Sequence, residues 1–168
     1  MPGCGQALCV AADSGRLKIE KYRKEVIPMS KIAVVYWSGT GNTESMAAMV
    51  AAGAKEAGAE AVLLTAAEFG PDQMDGYDAI AFGCPSMGAE QLEESEFEPM
   101  FSACEAKLSG KKIGLFGSYG WGDGEWMRTW EETCRGDGAN LVSEGVICNE
   151  APDDEAEAAC QALGKALA

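Results

Sequence analysis

The chain has 168 residues, 27 acidic and 13 basic, with a net charge of −14 at pH 7 and no histidine. That length suits one domain, the charge opposes nucleic acid and anionic lipid, and no apolar run is long enough to span a bilayer. Lack of histidine removes Ser-His-Asp and Cys-His catalysis and every His-ligated metal site. The seven cysteines form no C-x-x-C pair, so they read as free thiols of a reducing cytoplasm.

Residues 1–28 differ from the rest. They carry +2, which leaves −16 on residues 29–168. Met1–Gly15 is small and polar without periodicity, and Arg16–Val26 mixes basic and acidic side chains. Such a segment buries no core and holds no cleavable apolar region, so it is expected to be a disordered or artefactual leader. The codons of Lys24-Glu25-Val26 can spell a purine-rich string like a ribosome-binding site, so translation is expected to begin at Met29.

From Met29 strands and helices alternate. Ile32–Tyr36 is a continuous apolar strand of the kind buried on both faces of a parallel sheet. A helix follows with Met46, Met49, Val50, Gly53 and Ala54 on one face, and Gly58 as its stop. Ala61–Thr65 is a second strand, Gln73–Gly76 a short helical turn and Ala79–Gly83 a third strand. Phe97, Phe101, Cys104 and Leu108 form a helical stripe ending near Gly110. Ile113–Gly117 is the fourth strand, and the next helix carries Trp126, Trp130 and Cys134. Leu141–Cys148 is the fifth strand. The last helix turns Ala156, Ala159, Cys160, Leu163 and Leu167 to the sheet. Five strands alternating with helices specify an α/β fold, a doubly wound five-stranded parallel sheet of order 2-1-3-4-5 with helices on both faces. Ligands of such sheets bind beyond the carboxyl ends of the strands, near the switch between strands 1 and 3.

The unusual loops follow strands 1, 3 and 4. The first is Ser38-Gly39-Thr40-Gly41-Asn42-Thr43, at a helix start whose free amides and dipole suit a phosphate. It lacks the lysine of a P-loop, and Glu44 occupies the third-glycine slot of a dinucleotide turn. A terminal phosphate monoester remains, held by amides and by the hydroxyls of Ser38, Thr40 and Thr43. The second loop is Gly83–Glu90 and the third Gly117–Trp126. Trp121 between two glycines has no packing reason to be there, and stacking on a flat ligand is its use. Met87 is placed to face the other side of the same ring with a polarizable thioether, and Glu90 to accept from an imide N–H. A flat ring of that kind on a terminal phosphate is FMN.

Tyr-Trp-Ser-Gly-Thr-Gly-Asn-Thr-Glu (36–44), Gly-Cys-Pro-Ser-Met-Gly (83–88), Leu-Glu-Glu-Ser-Glu-Phe-Glu-Pro (92–99) and Gly-Ser-Tyr-Gly-Trp-Gly-Asp-Gly (117–124) together resemble the flavodoxins, specifically the short-chain clostridial type. The resemblance covers residues 29–168, expected to be one FMN-binding domain. It implies that Ser38, Gly39, Thr40, Gly41, Asn42 and Thr43 hold the phosphate. It also implies that Ser86, Met87, Gly88, Ala89 and Glu90 line one side of the flavin. Ser118, Tyr119, Gly120 and Trp121 would line the other, with Gly122 and Asp123 at its edge. Ala89 stands where relatives often carry a polar residue.

The resemblance further implies a low-potential one-electron carrier, not an enzyme, that cycles between semiquinone and hydroquinone. The acidic surface and a dry stack would disfavour the second electron, and a carbonyl turning at Gly88 would favour the first. Its partners would be basic-patched redox enzymes that use ferredoxin or flavodoxin, met by a cytoplasmic monomer through a rim of Glu90, Glu93, Asp123 and Glu125. Neither nucleic acid nor membrane is an expected partner, and no metal is expected. Two other classes share features with this chain. An NAD(P)H-dependent FMN or quinone reductase has the same fold but needs a further substrate pocket, and a phosphate-switched receiver domain would want acidic residues after strand 1.

Overall fold

The computed structural model describes residues 29–168. The expectation for the leader, with Cys4 and Cys9, lies outside the described residues. The elements in chain order are β1 (Lys31–Tyr36), α1 (Asn42–Glu56), β2 (Glu60–Thr65), β3 (Ala79–Gly83), α2 (Phe97–Cys104), β4 (Lys112–Tyr119), α3 (Glu125–Gly136), β5 (Asn140–Leu141), β6 (Val146–Asn149) and α4 (Asp154–Leu167). Short 3-10 turns at Ala66–Glu68, Pro71–Gly76 and Glu105–Lys107 join them.

All pairings between strands among the described residues are parallel, in the order β2-β1-β3-β4-β5, with β6 also on β4. The doubly wound order is therefore as expected, with one difference. The fifth strand is split into β5 and β6. The Val142 N–H still donates to Ile113 O, at 3.1 Å. The chain then lifts away, and the amide of Gly145 donates to Glu131 Oε1 at 2.6 Å. That amide faces away from β4 on this edge strand, and the register slips by two residues across the break: Leu141 stands opposite Ile113 but Val146 opposite Phe116. The interruption is only four residues long, Val142–Gly145.

Alternation along the strands separates two cores. Ala33, Val35, Ile80, Phe82, Ile113 and Leu115 face α2 and α3, among Phe97, Phe101, Trp126 and Trp130. Phe82 meets Phe101 edge-on at 5.3 Å, and Trp130 meets Phe97 and Phe101 edge-on at 5.5 and 5.6 Å. Ile32, Val34, Ala79 and Ala81 face α1 and α4. That side is built for close approach. A Cβ on Gly53 would collide with the Gln161 backbone, and one on Gly164 with the Val50 and Ala54 backbones. The two helices therefore cross backbone to backbone over small strand residues.

The helical stripes are as expected: Met46, Val50, Ala54, Phe97, Phe101, Cys104, Leu108, Trp126, Trp130, Cys134, Ala156, Cys160, Leu163 and Leu167 are buried. Met49 and Ala159 are only half-buried. Five cysteines (84, 104, 134, 148 and 160) are buried free thiols. Burial pushes those of Cys84, Cys134 and Cys160 up to about 12, so they are poor nucleophiles at neutral pH. No helix among the described residues is long and apolar enough to cross a membrane.

Candidate functional site

Register places the site. Tyr36 pairs with Gly83, Gly83 with Phe116, and Tyr119 with Asn149. The carboxyl ends of β1, β3, β4 and β6 thus open on one edge, and the loops after them enclose a cleft of about 540 Å³. That volume is in the range of small-molecule sites.

The loop after β1 contributes Trp37, Gly39, Thr40 and Asn42 to the cleft. Ser38 Oγ accepts the Gly41 N–H at 3.1 Å and closes the turn, and Gly41 begins α1. The first main-chain bond of α1 runs from Ser45 N–H to Gly41 O, at 3.0 Å. The amides of Asn42, Thr43 and Glu44 precede it, so none of them has an intrahelical acceptor. Thr43 is 1 % exposed and does not line the cleft. Its hydroxyl lies 3.2 Å from Ser118 Oγ, a brace between the first and third loops. Trp37 packs on Gly39, and its indole donates to Glu96 Oε2 at 3.0 Å.

The loop after β3 continues the sheet: Ser86 N–H donates to Ser118 O at 3.0 Å. Pro85, Ser86 and Met87 line the cleft. Met87 and Gln91 exchange two bonds of 2.8 Å, closing a three-residue turn of Gly88, Ala89 and Glu90. Gly88 has φ +54° and Glu90 φ +52°. The Glu90 carboxylate accepts the Glu125 N–H at 3.2 Å and lies against Gly122, where a Cβ would collide with it. Glu90 therefore joins the second and third loops.

Ser118, Tyr119 and Gly120 line the opposite wall. Trp121 follows with 62 % of its surface exposed, against 39 % for Met87. A large indole and a thioether are thus left open on two adjoining loops, as expected for flat-ring binders. Asp123 is not a free rim charge. Its carboxylate and its carbonyl each take a bond of 3.0 Å from Arg128, on the first turn of α3.

The expectation that Glu93 belongs to an exposed rim is incorrect. Glu93 is 6 % exposed and caps the start of α2, accepting from the Ser95, Glu96 and Phe97 amides at 2.8, 2.8 and 2.9 Å and from the Ser95 hydroxyl. Burial alone would raise its pKa. The bonds from the Ser95 hydroxyl and from the Phe97, Glu96 and Ser95 amides outweigh that and hold it at about 2. Sequence reasoning also missed Glu150 and Ala151, which line the cleft after β6. The Glu150 N–H donates to Tyr119 O at 2.8 Å and the residue has φ +56°. The rule that ligands sit beyond strand ends applies to the fifth strand as well and was the available signal. Trp37 and Pro85, which also line the cleft, stood in the resembling motifs without an assigned role. Ser38, Gly41, Thr43, Gly88, Ala89, Glu90, Trp121, Gly122 and Asp123 shape or flank the cleft without lining it.

A doubly wound parallel sheet with an amide- and hydroxyl-lined helix start, an open indole and no basic residue in its cleft has the architecture of a flavin-nucleotide protein. The family model described as flavodoxin matches residues 34–162. The chain is 46 % identical to the flavodoxin of Megasphaera elsdenii over 137 residues, covering 82 % of this chain and 98 % of that protein. It is 47 % identical to the flavodoxin of Clostridium beijerinckii over 135 residues, covering 80 % and 97 %. The solution structure of two-electron reduced Megasphaera elsdenii flavodoxin superposes with a TM-score of 0.75, over 81 % of this chain and 97 % of that one. The chain belongs to the flavodoxin family, and its relatives in Megasphaera and Clostridium are of the short-chain kind. It is an FMN electron carrier that serves partner redox enzymes, not an enzyme with a substrate of its own.

Proposed function

We propose that FMN binds with its phosphate at the start of α1 and its ring between Met87 and Trp121, and that the protein works as a low-potential one-electron carrier for enzymes that also use ferredoxin or flavodoxin. The observation that carries this reading is the convergence of four strand-end loops on one cleft with free amides at its inner end and an open indole beside it. Bound FMN takes up and releases electrons one at a time. Every other property is set by the chain.

The Thr40 and Asn42 side chains, with the amides at the start of α1, hold the phosphate. Ser38 and Gly41 fix the turn, and Thr43 anchors it from below through Ser118. Ser86, Met87, Gly88, Ala89 and Glu90 serve one side of the ring, and Tyr119, Gly120, Trp121, Gly122 and Asp123 the other. No Lys or Arg lines the cleft, and Glu150 adds a carboxylate. Arg128, on the first turn of α3, is held by Asp123. A negative charge added to the ring therefore meets no nearby cation, which lowers the potential.

Residues 29–168 form the FMN-binding domain in this reading, working as a cytoplasmic monomer apart from nucleic acid and membranes. Its partners present basic patches to Glu90 and Glu125. Absorption spectra during stepwise anaerobic reduction test the reading. Flavin bands that decay in two separated one-electron stages are expected, and a protein that stays colourless after FMN loading and gel filtration overturns it.

A further inference from the structure

Trp37 lines the cofactor cleft, and its indole N–H is bonded to Glu96 Oε2, 59 positions away. Both ends of this bond are fixed by further contacts. The Trp37 main-chain N–H donates to Gly83 O at 3.0 Å, which carries the β1–β3 ladder one residue past Tyr36. The far edge of the indole lies against Gly39, where a Cβ would stand 3.0 Å from Trp37 Cη2 and 3.3 Å from Cζ3. Glu96 is held through its own main chain, whose N–H donates to the buried Glu93 carboxylate at 2.8 Å. The Glu96 side chain makes no cap to α2, and among the described residues it forms no ion pair. Its carboxylate is left for the indole.

We infer that the Trp37–Glu96 bond is a tether that sets the phosphate-binding turn and so governs how well the protein separates FMN from riboflavin. Residues 38–43 contain no Lys or Arg. Their grip on a phosphate therefore depends on amides and hydroxyls held in place, and such bonds weaken steeply when misaligned. Ser38 Oγ restrains the Gly41 end of the turn, while Gly39 and Thr40 stand exposed at its middle. The Trp37 ring supports that middle at Gly39, and the bond to Glu96 keeps the ring from swinging away. Trp37 and Glu96 are positioning residues here, because each acts on the phosphate through the turn. Glu96 carries a negative charge, so by Coulomb's law alone its removal would tighten binding of a phosphate. The tether demands the opposite. This inference rests on the FMN reading, in which Met87 and Trp121 hold the ring apart from this turn.

The test titrates the full chain, stripped of flavin, with FMN and with riboflavin, and follows quenching of flavin fluorescence. Glu96→Ala removes an exposed side chain that caps no helix. It should loosen FMN about fivefold, the scale of one hydrogen bond, and riboflavin less than twofold. Glu96→Gln removes the same charge but keeps an oxygen for the indole, so it should hold FMN within twofold of the parent. Trp37→Phe keeps a ring against Gly39 without the donor and should match Glu96→Ala. The double variant Trp37→Phe, Glu96→Ala should bind FMN no more weakly than either single variant, since both remove one bond. Equal FMN affinities of the Ala and Gln variants, equal losses for the two flavins, or additive losses in the double variant would overturn the tether. A parent protein that binds riboflavin as tightly as FMN also overturns it, whereas one that binds neither flavin defeats the FMN reading itself.

Discussion

The hydroxyls of Thr43 and Ser118 lie 3.2 Å apart beneath the cofactor cleft, joining residues 75 positions apart in the chain. Both are buried, and Ser118 also receives the Ser86 amide on its carbonyl. Thr43→Val keeps the shape and removes the bond, leaving the Ser118 hydroxyl unpaired. Loss of about 1–2 kcal/mol in urea unfolding is expected, together with weaker FMN binding by fluorescence titration. Unchanged FMN affinity would place the brace outside the cofactor site.

Gly88 has φ +54°, and a Cβ there would meet nothing within 4 Å. A side chain is therefore opposed only by backbone strain, which is greatest for a β-branched residue. Gly88→Thr should keep FMN bound while resisting any turn of the 88–89 peptide on reduction. A hydrogen bond of about 1–2 kcal/mol gained or lost corresponds to roughly 40–90 mV for one electron. The first midpoint should fall and the second rise, in spectroelectrochemistry of the loaded variant. Midpoints that stay equally separated would rule out the turn.

Trp121 is the most open aromatic at the site. Replacing it with Ala should loosen FMN by about 1–2 kcal/mol, the scale of an aromatic pair. Water admitted in its place solvates the reduced anion, so the second midpoint should rise. A midpoint that stays or falls argues against the electrostatic account of a low potential.

Glu93 gives a pH dependence of known sign. Its pKa is depressed to about 2 from an ordinary value of 4.5. Its stabilisation is thus complete above about pH 4.5 and disappears as pH falls toward 2. Glu93→Gln should cost about 2 kcal/mol at pH 7 and flatten the acid side of the stability curve. Urea midpoints between pH 2 and 6 for both proteins check this, and parallel curves would contradict it.

The strand and helix order, the two-faced burial of the sheet and three of the four cleft loops were legible from the residues. Periodicity, glycine stops and hydroxyl-rich turns are local signals, carried within a few positions of the elements they define. Ile32–Tyr36 could only be a buried strand, and Ser38–Thr43 only a turn into a helix. The structure then settled the partners of individual polar groups. Glu93 became a helix cap because α2 starts just after it, and Asp123 became half of an ion pair because Arg128 lies one turn along α3. The fifth strand broke where its register on β4 slips by two residues, Glu131 took the Gly145 amide beside that break, and β6 brought Glu150 into the cleft. The Glu93 cap and the Asp123–Arg128 pair are local contacts whose signals the sequence carried. The slip of the fifth strand and the entry of Glu150 depend instead on register between strands that meet only after the sheet forms, so no stretch of sequence states them.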